Sequence, residues 1–276
     1  MNITASQVNE LRKQTGAGMM DCKKALVESN GDMEQAIDFL RKKGQKVAAK
    51  RADREAKDGV VIAKSNADNS YAAVLMINCE TDFVAKNEDF VKYAESILDL
   101  AISNKVKEAE ALKKLKLDDR TVEETITDQT GVIGEKIDLG AFAAIEAPFT
   151  TAYIHPGNRL ATIIGLNQPN GEKLAQIGRE LAMQVAAMDP VGVDEADVPQ
   201  DIILREIEIG MDQARNEGKP EAMLEKIAKG KLNKFYRDNT LLNQDFVREN
   251  KKSVRQYLSE VDADLTVTAF KRFMLG

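Results

Sequence analysis

The chain has 276 residues, 43% of them hydrophobic and 30% charged, with a formal net charge of −6 at pH 7. That length predicts about two to four modules rather than one small core, and the balance of apolar and charged residues excludes a disordered polymer. No apolar run approaches the roughly 18 residues that cross a bilayer, the opening Met1–Ser6 lacks the basic-then-apolar pattern of a secretory signal, and the acidic balance argues against nucleic acid as the primary partner.

Three short helical patterns come first. Thr4 and Gln7 have capping-box spacing, followed by apolar Val8 and Leu11. Gly16-Ala17-Gly18 breaks that pattern, and Cys22, Ala25 and Leu26 mark the next. Asn30-Gly31 ends the second helix, Asp32 caps a third, and Met33, Ala36, Ile37 and Leu40 follow at i, i+3, i+4, i+7. Three amphipathic helices of this size predict a small bundle. From Arg41 to Lys57 eight Lys/Arg stand against Asp53 and Glu55, so this stretch carries +6 and the remainder −12. It reads as a charged linker with helical character, closing the first module over residues 1–57. Such a run is a solvated helix face or a patch that touches RNA, although no aromatic residue is interleaved in it for base stacking.

A second module is predicted over 58–145. Val60–Ala63 and Tyr71–Ile77 flank an Asn/Asp/Ser turn and read as a β-hairpin. The polar turn Thr81–Lys86 follows, and it holds an apolar pair, Phe83 and Val84. Surface connections give a large ring no core to fill, so Phe83 is either folded underneath or offered to another molecule; we read it as offered. Asn87 then caps a helix with Glu88 and Asp89 in its first turn, and Phe90, Ala94, Ile97, Leu98 and Ala101 form one apolar face. A shorter helix is predicted over Val106–Leu115, Thr121 with Glu124 caps another, and a strand falls near Ile137–Ile145.

The pattern of hairpin, loop and long helix then repeats. Thr150–His155 and Leu160–Leu166 flank the turn Pro156-Gly157-Asn158, and Glu172–Met188 is helical with Leu174, Ile177, Leu181, Val185 and Met188 inward. Two related α+β halves with antiparallel sheets are therefore expected, the second over 146–199 and 237–276. Between its parts, helices near Asp201–Asn216 and Pro220–Tyr236 form a charged hairpin (200–236) with a narrow apolar seam, projecting from the body. Ser253 and Gln256 cap a short helix, and Leu265–Met274 is expected as a final strand of the second sheet.

Catalytic chemistry is sparse. Cys22 and Cys79 lack CxxC spacing, which fits a reducing cytoplasm and two small buried hydrophobes. His155 is the single histidine; at a hairpin corner it is a surface turn residue, a binding contact or, as a third reading, a catalytic base. One histidine and two distant cysteines make no zinc site, and Gly16-Ala17-Gly18 before Lys23-Lys24 misses the phosphate-loop spacing. The expectation is a binding protein with no cofactor, no metal and no catalytic residue.

Four motifs, in order and spanning nearly the whole chain, carry a family resemblance. Asn78-Cys79-Glu80-Thr81-Asp82-Phe83-Val84-Ala85 is similar to the signature loop of the bacterial elongation factor Ts family. Leu11–Leu26, which includes Thr15-Gly16-Ala17-Gly18-Met19-Met20-Asp21-Cys22-Lys23-Lys24, resembles its N-terminal motif. Tyr153-Ile154-His155 with Gly157 and Arg159 resembles a third pattern, and Gly218-Lys219-Pro220 a fourth. The resemblance implies a cytoplasmic, non-enzymatic guanine-nucleotide exchange factor for elongation factor Tu, in its GDP-bound and nucleotide-free forms. It also implies a ubiquitin-associated-like N-terminal bundle, two α+β core subdomains and a projecting coiled-coil hairpin. By motif, Thr81, Asp82, Phe83 and Val84 form the loop that disturbs the Mg²⁺ site of Tu, with Phe83 as a wedge. Met19 and Met20 in the N-terminal motif, and His155, are further partner contacts. No membrane partner is implied, and a homodimer through the hairpin stays open. Two departures limit the carry-over. Many members have a further Tu-contacting helix after the last strand, whereas the sequence here runs to Gly276, and Gln184 stands where some relatives have histidine.

Overall fold

Helix ends in the first part of the chain are set by the capping chemistry of the sequence. The computed structural model describes residues 3–169, 171 and 173–276. In it α1 (Ala5–Thr15) starts on the Thr4–Gln7 capping box, the Gln7 amide donating to Thr4 Oγ1 at 3.3 Å. α2 (Met19–Glu28) follows, and α3 (Met33–Arg51) starts where the Gln35 amide donates to Asp32 Oδ1 at 2.9 Å. Leu11, Cys22, Ala25, Leu26 and Ala36 are fully buried in one cluster, with Met33, Ile37 and Leu40 half-buried at its margin. The expected linker is much shorter than its charge pattern suggested. α3 runs unbroken through the basic stretch to Arg51, held there by the packing of its middle described below.

β1 (Asp58–Ser65) and β2 (Tyr71–Cys79) form the expected hairpin, turned by Asn66, whose Oδ1 accepts from the Ser70 and Tyr71 amides at 2.9 and 3.0 Å. Where a loop was expected, Asp82–Ala85 makes one helical turn, α4, closed by the Ala85 amide donating to Thr81 O at 3.2 Å. α5 (Glu88–Ser103) is capped by Asn87 and buries Phe90, Ala94, Ile97, Leu98 and Ala101, the face read from the sequence. α6 (Ala109–Lys114) is shorter than its pattern. β3 (Lys116–Leu117) and β4 (Arg120–Thr121) form a small hairpin that no alternation announced. α7 (Val122–Ile133) starts on the Thr121–Glu124 capping box and ends at Gly134, whose φ of 83° is a conformation glycine adopts at little cost. β5 (Asp138–Glu146) completes a sheet of order β1-β2-β5.

β6 (Phe149–Ile154) and β7 (Leu160–Leu166) pair antiparallel, Phe149 opposite Leu166 and Ile154 opposite Ala161. α8 (Leu174–Met188) buries Leu174, Ile177, Leu181 and Val185. The predicted start of this helix at Glu172 lies outside the described residues. Met188, expected inward, is exposed because the helix ends there and Asp189 turns the chain away at φ 43°. α9 (Gln200–Asn216) and α10 (Glu221–Asn239) form a helical hairpin whose buried seam is narrow: Gly210 and Ala214 against Leu224, Ala228 and Leu232. β8 (Asp245–Phe246) and β9 (Glu249–Ser253) form a second hairpin not anticipated from sequence. α11 (Val254–Val261) starts on the Ser253–Gln256 capping box, and β10 (Val267–Met274) joins the second sheet, in the order β10-β7-β6. The architecture is α+β. The chain divides into two units, one holding residues up to Ile62 with Leu75–Ala143 and Phe273–Gly276, the other Ala63–Val74 with Ala144–Arg272.

Within the first unit, α3 and α7 meet at Gly44 and Gly131. A Cβ built on Gly131 would fall well inside van der Waals contact with the Gly44 Cα, whereas one on Gly44 would sit an ordinary 3.5 Å from the Gly131 Cα. The crossing is therefore close because of Gly131 above all. Gly131→Ala is expected to cost about 1–3 kcal/mol through overpacking. Gly44→Ala is expected to be neutral or to gain up to about 1 kcal/mol from helix propensity. Urea denaturation midpoints of the two variants, moving in these unequal directions, check the asymmetry.

Candidate partner-binding site

Phe83 is 83% exposed, the most open of the large hydrophobic side chains among the described residues. It sits on α4, a four-residue turn that buries none of its own side chains. One isolated helical turn does not persist in water, so its shape is imposed by its anchors. Thr81, the residue before it, is gripped at every polar atom. Its amide donates to Glu135 Oε2 at 3.0 Å, its hydroxyl to Glu135 Oε1 at 2.7 Å, and its carbonyl accepts the Cys79 thiol at 3.1 Å.

The grip is reciprocal. Glu135 Oε2 also accepts from the Glu80 amide at 3.1 Å, while Glu80 Oε1 accepts from the Lys136 amide at 2.6 Å. Arg51 Nη1 then reaches both oxygens of Glu80, at 2.9 and 2.8 Å, and Lys136 Nζ donates to Ala52 O at 2.8 Å. Hydrogen bonds to an ionised acceptor are the stronger class, and the pKa of Glu80 follows from them. The Lys136 amide, with Arg51 beside it, holds the Glu80 carboxyl below the usual glutamate range despite partial burial. Burial, with the charge of Glu135 nearby, pushes the Cys79 thiol up to about 12. At neutral pH it is a donor and a packing group, not a nucleophile.

Asp82 opens the turn and pairs with Lys86 Nζ at 2.6 Å, which keeps its carboxyl below the usual aspartate range. Thr81, Asp82, Val84 and Ala85 are half-buried, so Phe83 is the one exposed residue of the turn. Met19 and Met20 lie in the same unit on the first turn of α2, both exposed. His155 belongs to the other unit, at the exposed end of the β6–β7 hairpin, where Tyr153 Oη lies 2.9 Å from its Nδ1. Gln184 is fully buried and structural: its Nε2 donates to Gln244 Oε1 and Asp245 O at 3.2 and 3.1 Å, and its Oε1 accepts from the Val247 amide at 2.9 Å. Among the described residues, no group of three or more His, Cys, Asp or Glu is placed to hold a metal ion, and no helix is long and apolar enough to cross a membrane.

Sequence reasoning placed the ring and missed what holds it. Arg51, Glu80, Glu135 and Lys136 carried no assigned role. One signal was available: Glu135 follows the glycine that ends α7, at the negative end of a helix dipole, where a carboxylate is disfavoured unless donors meet it.

Comparison with known proteins bears on the same residues. The family model for Elongation factor TS matches residues 80–276, beginning at the head of this turn. Proteins named Elongation factor Ts are similar over the full length, so the likeness also takes in the N-terminal helices. That of Christiangramia forsetii is 52% identical over 99% of both chains, and that of Amoebophilus asiaticus 48% over all of both. That of Flavobacterium psychrophilum is 51% identical over 99% of both. The chain belongs to the elongation factor Ts family. Both carboxylates of the Glu80–Glu135 grip fall inside the matched span.

The lowered pKa of Glu80 makes a signed prediction. Its carboxylate contributes stability that is fully present above the ordinary glutamate value of ~4.3, and that is lost as pH falls through the lowered folded-state value. The gap in denaturation midpoint between the parent and Glu80→Gln is expected to be constant from neutral pH to about 5 and to close below that range. A gap that widens on acidification contradicts it.

Proposed function

We propose that the chain is a non-enzymatic guanine-nucleotide exchange factor that binds elongation factor Tu in its GDP-bound and nucleotide-free forms. The observation that carries this is a phenylalanine left 83% exposed on an anchored helical turn, in a chain of the elongation factor Ts family. In this reading the Thr81–Val84 turn enters the nucleotide-binding domain of Tu and Phe83 wedges between two of its helices. Mg²⁺ coordination and the phosphate contacts are disturbed, GDP leaves and GTP loads. Met19 and Met20 on α2 make a second contact with the nucleotide-binding domain, and His155 meets the third domain. The N-terminal helices act as a ubiquitin-associated-like bundle (1–57), followed by core subdomains over 58–145 and over 146–199 with 237–276. The α9–α10 pair is a coiled-coil hairpin (200–236) whose exposed Leu204 and Met223 offer apolar surface to a partner, Tu or a second copy. The place of action is the cytoplasm.

The physics of exchange needs no catalytic base. A ligand shifts an equilibrium only through its differential affinity for the two states, and GDP must weaken the factor by the same ratio by which the factor weakens GDP. Burying one phenylalanine contributes ~1.5–3 kcal/mol, and about 1.4 kcal/mol is a factor of ten. Phe83→Ala is accordingly expected to lower the maximal rate of fluorescent GDP release from Tu by roughly 10- to 100-fold in stopped flow. Release by the parent no faster than the spontaneous rate overturns the function. Equal release by parent and variant removes the wedge.

A further inference from the structure

Two helices leave one crossing and end on the same turn. α3 and α7 touch at Gly44 and Gly131. Beyond that point α3 ends at Arg51, which bonds both oxygens of Glu80. α7 ends at Gly134, and the next residue, Glu135, takes the amides of Glu80 and Thr81 and the Thr81 hydroxyl. The turn between them, α4, leaves Phe83 exposed and Val84 and Ala85 only half-buried. The Phe83 ring is exposed, so packing of the ring itself does not decide which way it points, and a lone helical turn is too short to decide it. The head of the turn is set by the polar atoms of Glu80 and Thr81: apart from the Ala85 amide, which closes α4 on Thr81 O, the partners named for them come from the ends of α3 and α7 and from Cys79. At its other end α3 inserts Ala36 into the cluster of Leu11, Cys22 and Leu26, beneath the helix that carries Met19 and Met20.

We propose that Glu135 and Arg51 are positioning residues for nucleotide exchange. They touch neither partner nor nucleotide; they fix the Thr81–Ala85 turn in the orientation in which Phe83 enters the partner, and they tie that turn to the N-terminal helices. The proposal rests on the exchange reading. Its chemistry sets the choice of variants. Glu135→Gln removes the charge: its oxygen can still take the two amides and its NH₂ group can only donate to the Thr81 hydroxyl, so three charge-assisted bonds become weaker neutral ones. Arg51→Met removes the cation, and Arg51→Lys returns one. Because a single guanidinium nitrogen makes both bonds to Glu80, lysine can reproduce them.

The test is stopped-flow GDP release from elongation factor Tu over a range of factor concentrations, with thermal melting of each variant alongside. Glu135→Gln and Arg51→Met are expected to lower the maximal release rate about tenfold while the half-saturating concentration moves less than about twofold, and Arg51→Lys is expected to recover most of the rate. A purely structural role moves the melting temperature and spares the rate of the folded protein. Parent-like maximal rates in Glu135→Gln and Arg51→Met, beside a slow Phe83→Ala, overturn the positioning role and leave the exchange reading standing. So does a loss confined to the half-saturating concentration. An undiminished rate in Phe83→Ala overturns the wedge, and the positioning role falls with it. Should Glu135→Gln fail to fold, the Arg51→Met and Arg51→Lys pair decides alone.

Discussion

Two segments distant in the chain, 80–81 and 135–136, exchange carboxylates: Glu135 accepts the amides of Glu80 and Thr81, and Glu80 accepts the amide of Lys136. The presentation of Phe83 depends on that exchange. Without the other segment Glu135 loses three donors, Glu80 keeps only Arg51, and the amides of Glu80, Thr81 and Lys136 lose their acceptors. Removing either partner strands the other, and a stranded group costs more than a satisfied pair contributes. Arg51 adds the third corner and makes the end of α3 part of the same network.

This arrangement accounts for an exposed phenylalanine without a core beneath it. An apolar ring on a mobile loop would spend much of its time folded against the surface, and ordering it on binding would cost affinity. On a turn held by charge-assisted hydrogen bonds the ring is pre-organised, so more of its burial energy remains to distinguish one state of a partner from another. That is the quantity nucleotide exchange requires, and it calls for neither a nucleophile nor a metal. Cys79, the sulfur closest in sequence to the turn, is spent as a buried thiol donating to Thr81 O.

Much of the fold was legible because its signals are local. Capping boxes at Thr4, Thr121 and Ser253 start helices where read, and the apolar spacing on α5 named its buried face residue by residue. Legibility failed where tertiary contact decides. The basic run after Arg41 reads as a linker with helical character; it is helical to Arg51, but charge pattern cannot reveal that Gly44 packs on Gly131 and makes it the continuation of α3. Met188 kept the apolar period of α8 but lies where the helix stops. The β3–β4 and β8–β9 hairpins have strands too short to alternate. At the site, Phe83 stood out as a ring in a polar turn, whereas Glu80 and Glu135 are two of 45 acidic residues. Their roles come from a pairing across more than fifty positions, which periodicity does not encode.

The central claim is thermodynamic: Phe83 makes the chain prefer nucleotide-free elongation factor Tu over the GDP-bound form. Titration calorimetry of the parent and of Phe83→Ala against both forms of Tu measures that preference directly. The account predicts that the variant loses roughly 10- to 100-fold of affinity for nucleotide-free Tu and little for Tu·GDP, so that the ratio collapses by the same factor. An affinity ratio that is unchanged in Phe83→Ala, or a parent that binds both forms equally, contradicts it.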